Sequence, residues 1–125
     1  MLLSGDDRRD LIAQASAVLD AGQVLELRRA VGGVHASDAL VAYVQALLAR
    51  SRHQAGVRVG LSPRAGIALL RAARAYALLL GRSHVLPEDV QALFAAVAAH
   101  RLVPEAEAAS ASVLAKAILH AVPVD

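Results

Sequence analysis

Apolar positions recur along this chain at helical spacing, in blocks separated by short polar or glycine-containing breaks. Val24, Leu27 and Val31 are spaced as on one helix face. Asp20 precedes them with Gln23 three residues on, a capping-box pattern, and Gly32-Gly33 closes the block. A second block, Leu40, Val41, Val44, Leu47 and Leu48, follows Ser37-Asp38, a cap with an acid in the first turn. Arg50, Arg52 and His53 complement the negative end of that helix. Gln54–Gly60 reads as a loop, with Val57 and Val59 forming a short extended piece inside it.

Ser62-Pro63 starts a third helix, a cap followed by proline at the first helical position, and this helix runs to Leu80 and stops at Gly81. Its expected core stripe is Gly66, Leu69, Leu70, Ala73, Tyr76, Ala77 and Leu80. Pro87-Glu88-Asp89 opens a fourth helix with Val90, Leu93, Phe94 and Val97 inward, ending near Leu102, before Pro104. Leu86 stands at its N-cap without a capping group. Glu105–Ala111 reads as a loop. Ser110 or Ser112 then caps a last helix whose apolar face is Val113, Leu114, Ala117, Ile118 and Ala121, and Val122–Asp125 reads as an extended tail. Ahead of Asp20, the charged stretch Asp6–Ala17 is either a brief helix or a linker. The expectation is an all-α fold, a compact bundle of four to five short helices.

Composition supports that class. The chain has 29 alanines in 125 residues, and alanine is the best intrinsic helix former. Its only aromatics are Tyr43, Tyr76 and Phe94, so the core must be built from Leu, Val, Ile and small residues. A hydrophobic content of 57% excludes disorder. Mean hydropathy is +0.49, yet no charge-free apolar run approaches the roughly 18 residues a membrane span needs. The start Met1-Leu2-Leu3-Ser4-Gly5-Asp6-Asp7 lacks the features of a signal peptide. Cysteine is absent, which removes disulfides, a thiol nucleophile and thiolate metal sites and fits a reducing compartment.

Thirteen bases against 11 acids leave a net charge of +2. The pI of about 9.7 reflects arginine, since Lys116 is the only lysine. Nucleic-acid binders carry a larger and more clustered excess. The histidines His35, His53, His84, His100 and His120 show no metal-ligand spacing. There is no nucleophile elbow, and the acid pairs Asp6-Asp7 and Glu88-Asp89 fall where solvent or a helix start explains them. No phosphate-binding P-loop is present. Catalytic residues are therefore expected to be none, and metal ligands none.

The informative element is the helix from Ser62. Opposite its core stripe it carries Arg64, Arg71 and Arg82, with Arg74 toward the edge and Ile67 and Leu78 among them. An arginine face with interleaved aliphatics suits docking on a polar surface. Arg64 beside a helix N-terminus suits an anion such as a phosphate. An ordinary solvated arginine face is the alternative. Gly66 permits either close approach of another backbone or tight packing.

These residues resemble a known family. Gly60-Leu61-Ser62-Pro63-Arg64-Ala65 and Ala68-Leu69-Leu70-Arg71-Ala72-Ala73-Arg74-Ala75 are similar to a segment of the MoxR family of AAA+ ATPases. So are Gly81-Arg82, Val85-Leu86-Pro87-Glu88-Asp89-Val90, His100-Arg101-Leu102, Val34-His35-Ala36-Ser37-Asp38, Tyr43-Val44 and the end Val122-Pro123-Val124. The likeness covers residues 20–125. Leu61 departs from the usual Ala, and Leu86 from the common capping Thr.

The resemblance implies the C-terminal helical lid, residues 20–125, preceded at 1–19 by a linker or short helix from an ATPase core. It implies that Arg64 is the sensor 2 arginine, which reaches the phosphates of ATP held with Mg2+ by that core. Walker A, Walker B, sensor 1 and the arginine finger are not among these residues, so the fragment alone is not expected to be an enzyme or to bind nucleotide tightly. The implied partners are the chain's own AAA+ core, neighbouring subunits of a hexameric ring and von Willebrand factor A-domain proteins. No nucleic acid and no membrane insertion are expected, and the implied setting is the cytoplasm, in chaperone-like remodelling of other proteins. A free-standing helical adaptor, docking through the arginine face, is the alternative.

Overall fold

A computed structural model describes residues 8–124. The described residues form six α-helices: α1 (Arg8–Gln14), α2 (Ala21–Gly33), α3 (Asp38–His53), α4 (Pro63–Leu79), α5 (Pro87–Ala98) and α6 (Ala111–Ala121). A 3-10 turn over Ala99–Arg101 extends α5. Two short strands, β1 (Val57–Val59) and β2 (Val103–Pro104), pair antiparallel, Val57 opposite Pro104 and Val59 opposite Val103. The all-α class holds. The open segment ahead of Asp20 contains the helix α1, and its first residues, through Asp7, lie outside the described part, as does Asp125.

The helix starts follow from local chemistry. Asp20 accepts from the Gln23 N–H at 2.8 Å while the Gln23 side chain accepts from the Asp20 N–H at 2.9 Å, the expected capping box. Ser37 accepts from Leu40 at 3.1 Å and Ser62 from Ala65 at 3.3 Å. Ser110, rather than Ser112, caps α6. Gly81, at φ +76°, ends α4: its N–H bonds the Leu78 carbonyl and the Arg82 N–H bonds that of Ala77, both at 2.9 Å.

The core lies among α3, α4, α5 and α6. Phe94, Leu47, Leu69, Ile118, Val90 and Ser51 are its largest fully buried side chains. α4 is the central element, packed on α5, α2 and α3. A Cβ at Gly66 would fall 2.6 Å from Leu48 Cδ1, so this glycine serves tight packing against an α3 side chain. Gly60 allows a closer approach: a Cβ there would sit 2.8 Å from the α3 backbone at Ser51 and Arg52. Ser51 fixes the same junction, donating to the Leu48 carbonyl at 2.7 Å and accepting from the Leu61 N–H at 2.8 Å. The loops before α3 and α5 are joined as well, since His35 N–H bonds Ser83 O and Val85 N–H bonds His35 O, both at 2.9 Å.

Three expected faces are corrected. Leu80 is exposed, because the helix has ended at Leu79 and the helical phase no longer applies. Leu78, placed among the arginines, is half-buried against the core, because α4 is covered on several sides. In α6, Val113 and Ala121 face out, and the inward positions are Ala115 and Ile118, with Leu114 and Leu119 at the edge.

Candidate functional site

Arg64 is the second residue of α4. Pro63 before it has no N–H to satisfy, and the Ser62 hydroxyl takes that of Ala65, so Arg64 occupies the positive end of a 17-residue helix. Its side chain is exposed and makes no hydrogen bond or ion pair with another described residue. Ile67, 55% exposed, lies one turn on. Beside this turn, Val41, Val44, Leu48, Pro63, Ile67 and Leu70 line an open, mainly apolar groove of about 380 Å3 between α3 and α4. The junction behind Arg64 is rigid: Arg52 donates to the Leu61 carbonyl at 3.3 Å, and Ser51 holds the Leu61 N–H. A free guanidinium at a helix N-terminus, next to a hydrogen-bonded loop, presents a fork of donors to an oxyanion.

The other arginines of the expected face do different things. Arg82 is not on it. Beyond Gly81 the chain turns, and Arg82 grips Asp89 with both nitrogens, Nη1–Oδ2 at 2.7 Å and Nη2–Oδ1 at 2.5 Å. Asp89 is only 3% exposed, Arg82 24%. The Arg82 hydrogen bonds, seconded by the N–H of Leu86, hold the Asp89 carboxyl below its ordinary range against the opposing effect of burial. The same carboxylate accepts from Leu86 N–H at 2.8 Å. This explains a helix that starts at an uncapping leucine, since the acceptor comes from the third helical residue. Arg71 is exposed. Arg74 is half-buried, and its Nε–H is buried without a partner.

The histidines are spread over the molecule. His120 Nδ1 lies 2.9 Å from the Lys116 carbonyl and His100 Nε2 2.9 Å from Arg101, which also donates to Val97 O. Among the described residues, no three His, Asp or Glu side chains gather as a metal site. No described helix is long and apolar enough to cross a membrane.

The AAA lid domain family matches residues 49–121, which hold the Ser62 cap, Arg64 and the Arg82–Asp89 pair. The chain belongs to that family. Two of its relatives carry the MoxR name. The chain is 45% identical over 83 residues to Protein MoxR of Paracoccus denitrificans, covering 56% of this chain and 24% of that protein. It is 36% identical over 99 residues to Chaperone MoxR1 of Mycobacterium tuberculosis, covering 72% and 26%. It is 34% identical over 118 residues to YeaC of Bacillus subtilis, covering 94% of this chain and 37% of YeaC. A crystal structure from Cytophaga hutchinsonii, described as a candidate ATPase, superposes with a TM-score of 0.81 at 26% identity over 96% of this chain and 44% of that one. This is thus a MoxR-type AAA+ lid domain, and it spans less than half the length of each of these relatives.

Proposed function

We propose that residues 20–125 are the nucleotide-sensing lid of an ATP-hydrolysing MoxR-type machine, with residues 1–19 leading from its core, and that Arg64 is the sensor 2 arginine. The observation that carries this reading is an unpartnered guanidinium at the capped, proline-started N-terminus of α4. The donor set fits a phosphate: a permanent cation with a planar fork, at the positive end of a helix. In the assembled protein the ATPase core would hold ATP with Mg2+, and bound ATP supplies the phosphoanhydride whose hydrolysis drives the machine.

This chain's share is positional. Arg64 would bind the phosphate end of the nucleotide from the lid side and stabilise negative charge there. Ser51, Arg52 and the Gly60 contact tie the Arg64 turn to α3, and α4 is packed into the core. A pull on Arg64 therefore moves the α3–α6 body as one unit. The apolar side chains exposed on α1 and α2, Leu11, Ile12, Val24, Leu25 and Leu27, suit burial against the chain's own AAA+ core. We further read the parent as a cytoplasmic hexameric ring that remodels other proteins in a chaperone-like manner, with von Willebrand factor A-domain proteins among its partners.

The test is lid position in the full-length protein. Ser112→Cys, at the exposed start of α6, labels this cysteine-free domain, and a second dye on the core reports their separation. The expected result is a transfer efficiency that differs between a non-hydrolysable ATP analogue and ADP, and a difference erased by Arg64→Ala. An undiminished difference in the Arg64→Ala protein overturns the assignment.

A further inference from the structure

We propose that the groove between α2 and α4 is a docking site for an acidic peptide segment, held by Arg28, Arg71 and Arg74. The groove is about 580 Å3 and is lined by these three arginines with Val31, Gly32 and Ala75. Among the described residues its lining carries three cations and no acid. Among the described residues, none of the three guanidinia makes a hydrogen bond or ion pair. Elsewhere on the domain arginines do find partners: Arg50 on Gln54, Arg52 on Leu61 O, Arg82 on Asp89.

Arg71 and Arg74 are three residues apart on one helix, a spacing at which like charges repel. Arg74 adds a buried Nε–H with no acceptor, a group that seeks one. Three guanidinia lining one groove, unpaired among the described residues, and an orphaned donor describe a site completed by carboxylates. The groove floor favours a peptide over a bare anion. Val31 and Ala75 offer apolar contact for the methylenes of glutamate, and the space above Gly32 is open, with nothing within 4 Å of where a Cβ would be. Arg71 and Arg74 stand roughly 10–15 Å along α4 from Arg64, so this site is separate from the helix start.

The test is a titration of the 125-residue chain with hexaglutamate at about 150 mM salt, where the screening length is about 8 Å, read from the arginine Nε–H NMR signals. The expected result is saturable shifts at Arg28, Arg71 and Arg74, with little change at Arg58 and Arg101. Affinity should fall at least tenfold in Arg71→Ala, an exposed site whose loss leaves the packing intact. It should fall similarly in Arg74→Lys, which keeps the charge but loses the Nε donor, whereas Arg58→Ala should bind as the parent does. Three outcomes overturn the proposal: no saturable shift, equal shifts at all arginines, or inorganic phosphate saturating the same three signals and displacing the peptide.

Discussion

Helices α2 and α3 are written in the same pattern and end in opposite environments. Val24, Leu27 and Val31 of α2, like Leu40, Val44 and Leu47 of α3, recur at the three- and four-residue steps of one helix face. Leu47 is fully buried, while Val24 and Leu27 are 44% and 45% exposed, and α2 contains no buried residue. The difference is cover. α3 is packed by α4, α5, α6 and β1, whereas α2 leans on α4 alone among the elements it touches substantially. Periodicity states which face of a helix is apolar. Only the arrangement of other elements decides whether that face becomes core. The α3–α6 body should therefore carry the stability, and α2 should be nearly silent in it.

Phe94→Ala is the strongest way to break this contrast. It empties the largest fully buried side chain, with an expected loss of about 3–5 kcal/mol in urea unfolding of the isolated domain. Gly60→Ala comes next. Its Cβ meets α3 backbone that cannot swing aside, and a loss of about 2 kcal/mol is expected, read as a lower urea midpoint.

Asp89→Asn strikes the α4–α5 junction, and about 1–2 kcal/mol is expected because Arg82 is partly solvated. Its pH signature is specific. The carboxyl is held below its ordinary range, so its contribution is full above the unfolded value of about 3.9 and fades as pH falls through the lower folded value. Stability of the parent chain should drop below about pH 4 more steeply than that of Asp89→Asn. Parallel acid profiles would refute the linkage. Leu27→Ala is the smallest effect, under about 1 kcal/mol by the same unfolding measurement. A loss as large as that of Phe94→Ala would erase the distinction between the two regions.

Much of the scaffold was legible along the chain. Asp20, Ser37, Ser62-Pro63 and Pro87 each mark a helix start through chemistry confined to a few neighbouring residues, and Val57 and Val59 do form a strand. The rest depends on contacts between distant residues or on the end of a helix. Arg82 looked like a continuation of the arginine face of α4, but Gly81 has already turned the chain, and the residue caps α5 through Asp89. Ser51 reads as one more polar residue, although it is fully buried and ties α3 to the Leu61 loop. The pairing of His35 with the strand-like backbone around His84 has no local signal at all. For the site, Arg64 was legible as a cation at a helix start, and it does stand there, without a partner among the described residues. The split among Arg64, Arg71, Arg74 and Arg82 into free, groove-lining and paired side chains required the fold.

The role proposed for Arg64 lies in nucleotide chemistry and not in the fold. Its most direct test is ATP turnover by the full-length protein carrying Arg64→Ala at saturating ATP, alongside thermal melting of the 125-residue chain with the same change. Turnover lowered by about 10²-fold, on the scale of losing one charge-stabilising donor, with an unchanged melting temperature is the expected result. Turnover equal to that of the unmodified protein would contradict the claim.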